Sequence, residues 1–469
     1  TINNINYYLK NPSEFRNLAS EIQKGDKPVW KTSEDAKEYA TIGEGDVFNY
    51  FSVYYNQSRD VHPTLFYALV HLFSSIAYGI FSKYIIFAIN LIFFLLTCYT
   101  IRKIFILFNK KWLGLIAILL YGLSMGAAST VIFLRMYSMI TFFSLEYLFL
   151  NLRILKNNLQ ISKSDKWKLF GIVLLGFLTQ YYFCIFVMIV FVLMSIRMIY
   201  KKQYKVFGKY LLIHIITALV GIIIFPASIY HIFFSYRGTG GAKGSMNFIQ
   251  AINFYLERLS EAFSINNVFI FVLLGIILIG IIARVITKIV KKEKIKNIYS
   301  YILLILPTII YFIFVSKIAP DVEAKYAIRY IMPILPEISI IFVFMLYKIF
   351  ANKRIALLIT CSSVIIITVN GFITNEPKYL YRGYNNYVDI ANKYKNLDFV
   401  YTVDNAFTYL TSMPEFMIYN KSLIINMNYD KLDFLKTDTE LQSQEQFVLS
   451  IKKWMNVEDT LNKILEYTG

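Results

Sequence analysis

Hydrophobic positions between residues 85 and 373 fall into long apolar runs, most of them closed by short polar loops. A helix of about twenty apolar residues, rising 1.5 Å per residue, crosses roughly 30 Å of hydrocarbon. On that rule the pattern predicts about ten spans, near 85–101, 113–132, 137–153, 168–183, 184–200, 210–233, 267–286, 299–317, 330–348 and 355–373. Upstream, residues 65–81 are apolar but interrupted by His71, Ser74, Ser75 and Gly79, which predicts a juxtamembrane helix lying in the interface. Residues 1–58 are polar and aromatic, punctuated by Pro12, Gly25, Pro28, Gly43 and Gly45, and read as a structured loop with short helices. After Ile373 helical patterns at 384–394 and 457–467 alternate with β-rich runs at 399–403, 422–427 and 447–451. That alternation predicts a small α/β layer. The expected organisation is an external loop region with juxtamembrane helices at 1–63, a transmembrane bundle at 64–373 and an extracellular α/β domain at 374–469.

Composition agrees with the pattern. The chain is 57% hydrophobic and 17% charged, with a mean hydropathy of +0.51, well above an ordinary soluble protein. The fold class expected is therefore an α-helical polytopic membrane protein carrying a small extracellular α/β domain. The net charge of +18 does not imply nucleic acid, because most of the excess lies in short loops between apolar runs. Those loops, RKIFILFNKK at 102–111, RILKNNLQISKSDKWK at 153–168, RMIYKKQYKVFGK at 197–209, RVITKIVKKEKIK at 284–296 and NKR at 352–354, are expected to face the cytoplasm. The alternating connections, the N-terminal stretch and the C-terminal domain then lie outside. Cys98, Cys184 and Cys361 all fall in apolar runs, so no disulfide framework is implied. The chain begins at Thr1 with no Met and no apolar run before the polar stretch, which leads us to expect a membrane helix upstream.

Candidate chemistry concentrates at one side of this topology. Asp60 and His62 stand in RDVHPTLFY at 59–67, Arg135 and Tyr137 in LRMY, Gln180 and Tyr181 in TQYYF, and Arg329 with Tyr330 before the ninth span. All are expected on the outer face. A carboxylate there can act as general base on a hydroxyl, and arginines bind a phosphate bidentately and stabilise it as a leaving group. Taken singly, the same residues read as a helix start and as interfacial anchors. Glu146, in the middle of a span, should face the protein interior and be paired or protonated. His71, His214 and His231 read as packing residues. No H-E-x-x-H, C-x-x-C or glycine-rich phosphate loop occurs, and Glu44, Asp46 and Asp60 are too loosely spaced to count as a cation motif.

DVHPTLFY resembles the DxHPP motif in the first external loop of the GT-C glycosyltransferases related to protein O-mannosyltransferases and aminoarabinose transferases. The similarity continues through LRMYSMITFFSLEYLFLNLRIL, FLTQYYF and RYIMPILP, and covers most of residues 46–350 in the right order. Such enzymes take a sugar from a polyprenyl-phosphate donor and pass it to an acceptor on the outer face. The resemblance implies that Asp60 and His62 are first-loop site residues, that Arg135 organises the site or a phosphate, and that Arg329 is a ligand for the lipid phosphate. Thr64 replaces the motif's second proline. The family's catalytic base is an Asp just after the first membrane helix. It is therefore expected upstream of Thr1, with Asp46 or Asp60 serving otherwise.

The function expected is transfer of a sugar from a polyprenyl-phosphate-linked donor to a cell-envelope glycan or surface protein, at the bacterial plasma membrane. Tyr137, Gln180, Tyr181 and Tyr330 join His62, Arg135 and Arg329 in donor binding, and no cofactor is required. The rival readings are a lipid-linked saccharide flippase, which should place polar groups near the bilayer midplane, and an envelope polysaccharide polymerase or ligase.

Overall fold

The computed structural model describes residues 29–235, 246–265, 298–319, 324–350, 352–379, 384–403, 412–427, 432–452 and 455–468. The chain begins there with strand β1 (Val29–Thr32), helix α1 (Ser33–Ala40), α2 (Tyr50–Ser58) and α3 (Leu65–Ile76). A series of helices follows: α4 (Lys83–Leu107), α5 (Lys111–Gly122), α6 (Met125–Ile132), α7 (Tyr137–Lys156), α8 (Lys163–Phe177), α9 (Tyr182–Tyr200), α10 (Tyr204–Ile224) and α11 (Ala227–Phe233). Then come α12 (Phe248–Phe263), α13 (Ile298–Ile318), α14 (Leu335–Ile349) and α15 (Lys353–Thr374). The chain closes with α16 (Tyr384–Lys393), strands β2 (Asp398–Val403), β3 (Lys421–Asn426) and β4 (Phe447–Ser450), and α17 (Val457–Thr468). It divides into two compact units. One holds the described parts of residues 1–56, 67–85 and 381–469, the other those of 57–66 and 86–380.

The first unit is built on a four-stranded sheet of order β1-β3-β2-β4. Strands β2, β3 and β4 are parallel, and β1 runs antiparallel to β3 with Val29 opposite Ile424. The expected C-terminal strands match to within a residue or two at each end. The N-terminal stretch, expected to be loop and short helices, supplies β1 as well. Helix α1 follows at once because Thr32 and Asp35 form a reciprocal capping box, Asp35 accepting the Thr32 amide at 2.8 Å. Alternating residues of the strands face two cores. Phe399, Tyr401 and Ile424 pack with Ala36, Ala391 and Phe416 on one side, while Val400, Leu423 and Ile425 pack with Leu435 and Leu441 on the other. Helices α2 and α3 are tied where Phe48 N–H donates to Ser75 Oγ at 3.0 Å and where His71 meets the Tyr50 ring edge-on at 5.3 Å. Of residues 65–81, Leu65–Ile76 form a 12-residue apolar helix.

The second unit is a helical bundle. Seven described helices are long and apolar enough to cross a membrane, and eight if the bent pair α5 and α6 is one span. This is the composition of a polytopic helical membrane protein. Helix α7 is central, with 83% of its span buried, whereas only 17% of α10 is. Phe105 and Phe344 stack at 4.2 Å between α4 and α14.

Three of the ten expected spans differ, and one, 267–286, lies outside the described residues. The 113–132 run bends by 64°, because Ser124 caps a fresh helix by accepting the Ala127 amide at 3.1 Å. The 210–233 run breaks at Phe225 and Pro226, since proline has no N–H to continue the ladder. The 168–183 run is instead the 15-residue α8, which starts five residues earlier at the Ser162 and Asp165 capping box and stops at Leu178. Asp165 also pairs with Arg153 across the α7–α8 connection.

Candidate functional site

The loop between α2 and α3 places Asp60 and His62 together. The Asp60 amide donates to Gln57 O at 3.1 Å, prolonging the end of α2, and Leu65 N–H donates to Leu178 O at 2.9 Å, fastening the start of α3 to the end of α8. Asp60 Oδ2 lies 3.0 Å from His62 Nδ1. Burial alone would raise the Asp60 carboxyl. The His62 imidazole, the Val61 amide and the Arg135 guanidinium outweigh it and hold the pKa well below the usual carboxylate range.

Arg135 stands in the turn between α6 and α7. Its neighbour Leu134 has φ of 55°, a left-handed conformation that a leucine adopts only under constraint. Tyr137 opens α7 directly after this turn, its ring edge-on to Phe133 at 5.5 Å. Arg329 lies in a short 3₁₀ turn before α14. It donates to the Tyr330 hydroxyl at 3.0 Å, and its guanidinium stands 4.9 Å from the same ring. Burial would lower the Arg329 pKa, but Tyr137 and Tyr330 more than offset both that and the nearby positive charge of Arg135. The guanidinium therefore stays charged. Its buried Nε has no hydrogen-bond partner among the described residues.

The turn between α8 and α9 supplies the remaining groups. Gln180 is spent on its own turn, where Oε1 accepts the Tyr181 amide at 2.8 Å. The Tyr181 hydroxyl lies 2.9 Å from His231 Nδ1, and His231 Nε2 lies 3.1 Å from Ser58 O. A carbonyl only accepts, so Nε2 carries the imidazole hydrogen and Nδ1 accepts from Tyr181. Burial pushes the His231 pKa down, partly countered by Ser58 O and Asp60. Burial likewise raises the Tyr181 phenol, and nearby Asp60 adds to the effect. The Tyr182 ring lies 5.2 Å from that of Tyr330, tilted by 54°.

Asp60, His62, Arg135, Tyr137, Tyr181, Arg329 and Tyr330 are thus linked by a chain of contacts and charge interactions, with Gln180 bracing the Tyr181 turn. Asp46 belongs to the other compact unit, where its carboxylate accepts the Gly43 amide at 3.3 Å. His231, expected to be a packing residue, bridges two of the site's loops. The signal that could have found it is its place just after Pro226, at a helix break. Among the described residues no three His, Cys, Asp or Glu side chains converge as a metal site.

Chemically, two arginines near each other beside an ionised carboxylate and an imidazole make a place for an anion next to a proton acceptor. The fold and these residues define a helical membrane protein with a charged cluster at the ends of its helices. No known family model matches the chain, and no curated protein matches it.

Proposed function

We propose that the protein is a GT-C-type glycosyltransferase acting at the outer face of a bacterial plasma membrane. It takes a sugar from a polyprenyl-phosphate donor and transfers it to a hydroxyl of a cell-envelope glycan or surface protein. The observation that carries this reading is the approach of Arg135 and Arg329 beside the Asp60 and His62 pair.

In the transfer, the acceptor oxygen forms a bond to the anomeric carbon as the bond from that carbon to the phosphate oxygen breaks. The lipid phosphate leaves with the electron pair, and Arg135 and Arg329 take up its charge. Asp60 and His62, joined through Nδ1 at 3.0 Å, take up the acceptor's proton between them. Tyr137 and Tyr330 hold Arg329 in place. A phosphate-linked lipid donor requires neither a nucleotide site nor an obligatory metal.

The test uses the purified full chain in lipid, supplied with polyprenyl-phosphate sugar and envelope extract. Release of lipid phosphate with formation of a glycosidic bond is expected, and its loss in Arg135→Ala and Arg329→Ala. Release that does not depend on either arginine overturns the reading. Movement of the lipid across the membrane without bond formation favours a flippase.

A further inference from the structure

Away from the site above, α7 and α10 are joined by four polar side chains. The Tyr147 hydroxyl lies 3.0 Å from the Tyr210 hydroxyl and 2.8 Å from His214 Nε2. Tyr210 also donates to Asn151 Oδ1 at 2.7 Å. Two of the four groups are oriented by backbone carbonyls, which only accept. His214 Nδ1 lies 2.8 Å from Tyr210 O, so it carries a hydrogen, and Asn151 Nδ2 donates to Tyr147 O at 2.9 Å, which fixes the amide.

The hydrogens can now be counted. With His214 neutral, Nε2 has none, so Tyr147 must donate to it, while Tyr210 donates to Asn151. Both phenolic hydrogens are then used, and the two hydroxyl oxygens face each other at 3.0 Å with nothing between them. Three contacts share two hydrogens. One more proton, on Nε2, resolves the conflict: His214 donates to Tyr147, Tyr147 to Tyr210 and Tyr210 to Asn151, all in one direction. We infer that His214 is a proton-binding site within the bundle, completing this chain when it is occupied.

The imidazole stands among aromatic rings on three sides. The rings of Tyr210, Phe191 and Tyr147 surround it at centroid distances of 4.4, 4.9 and 5.9 Å, tilted or edge-on to it. His214 also lines a cavity of about 320 Å³ with Cys184 and Thr217 among apolar side chains, and no carboxylate or cationic side chain lines it. The titratable groups facing His214 are therefore Tyr147 from α7, Tyr210 from its own helix and Cys184 from α9, with α8 contributing Val173 and Phe177. Glu146, next to Tyr147, is turned instead to Lys103 and Thr100 of α4. Helix α7 begins at Tyr137, and α10 leads through Pro226 to His231, so the proton ties together two helices that run to the candidate site. The inference stands whether or not the proposed transfer is correct.

Nitrogen NMR of the full chain in lipid nanodiscs, with ¹⁵N-labelled histidine, reads it directly. The chain has four histidines, and His214 is assigned from His214→Gln, or by substituting the other three if that variant does not fold. We expect both His214 nitrogens to carry hydrogens below a midpoint that falls above about pH 4. In Tyr210→Phe, which removes one of the two hydroxyl oxygens that face each other, the midpoint should move acidward by about one unit, a tenfold loss of proton affinity. Either a His214 that stays neutral with hydrogen on Nδ1 down to about pH 4, or a midpoint unmoved by Tyr210→Phe, overturns the inference.

Discussion

The bundle holds two polar clusters that meet the cost of polar groups among apolar helices in opposite ways. At the helix ends Asp60, Arg135 and Arg329 keep their formal charges, each held by a neighbour of suitable sign or polarity. Between α7 and α10 every member is formally neutral, and the cluster depends on having the right number of hydrogens. The two arginines there disfavour each other's charge, and an anionic ligand would relieve that repulsion. A neutral cluster in a low dielectric has no such repulsion to relieve. The cluster at the helix ends is therefore suited to binding and chemistry, the one between α7 and α10 to switching or rigidity.

The largest effect that would sharpen this contrast is on catalysis. Arg329→Ala should lower lipid-phosphate release by about 10²–10³-fold, the usual result of deleting one donor to a developing anion. The thermal unfolding midpoint should move little, because Arg329 bonds only to its own neighbour Tyr330 among the hydrogen bonds described. Unfolding of this variant at ordinary temperature would mean that the charges at the helix ends are structural, and the contrast would fail. Gly176→Ala should come next. A methyl group there would meet the Phe183 ring at 2.2 Å, and overpacking of this kind costs about 1–3 kcal/mol. Since Gly176 O accepts the amides of Thr179 and Gln180, the same strain falls on the turn that presents Tyr181. The variant should both melt earlier and lose activity, in contrast to Arg329→Ala.

How far the sequence revealed these clusters follows from what makes each visible. Strands β2, β3 and β4 were legible because their apolar runs are bounded by polar turns. The four residues of β1 show no such period and become a strand only by pairing with β3. Asp60, Arg135, Tyr181 and Arg329 stood out because a polar side chain at the end of an apolar run is conspicuous. Tyr147, Tyr210 and His214 did not, since an aromatic or an imidazole inside a hydrophobic helix looks like packing until its neighbours on other helices are known. His231 was missed for the same reason. Glu146, expected to face the interior and to be paired or protonated, bonds Lys103 and Thr100.

Glu337 tests whether a charge-capable group inside the bundle must serve a purpose. It is fully buried in the first turn of α14, and neither carboxyl oxygen has a hydrogen-bond partner among the described residues. Such a group costs about 1–3 kcal/mol. Glu337→Met keeps the volume and removes the unsatisfied oxygens, so the thermal midpoint should rise while transfer activity stays unchanged. A stable variant without activity would assign Glu337 a role in the reaction and blur the line between the two clusters.

The smallest effects are those of pH, and they separate the clusters by sign. Burial lowers the His231 pKa in the folded state. Its contribution to stability is therefore complete above the unfolded value of about 6.5 and is lost as pH falls below it, because only the unfolded chain then gains the proton. His71, also lowered by burial, adds a loss of the same sign. The depressed Asp60 pKa contributes stability above its unfolded value of about 3.9 that disappears at still lower pH. A proton taken up by His214 in the folded state offsets part of that acid-side loss. Thermal midpoints measured between about pH 5 and 8 in wild type, His231→Gln and Tyr210→Phe resolve the two. The acid-side loss should shrink in His231→Gln, where the folded-state penalty is gone. It should grow in Tyr210→Phe, where the compensating proton is no longer wanted. Equal slopes in all three would show that neither imidazole is coupled to folding, and would leave the cluster between α7 and α10 a rigid contact with no switch in it.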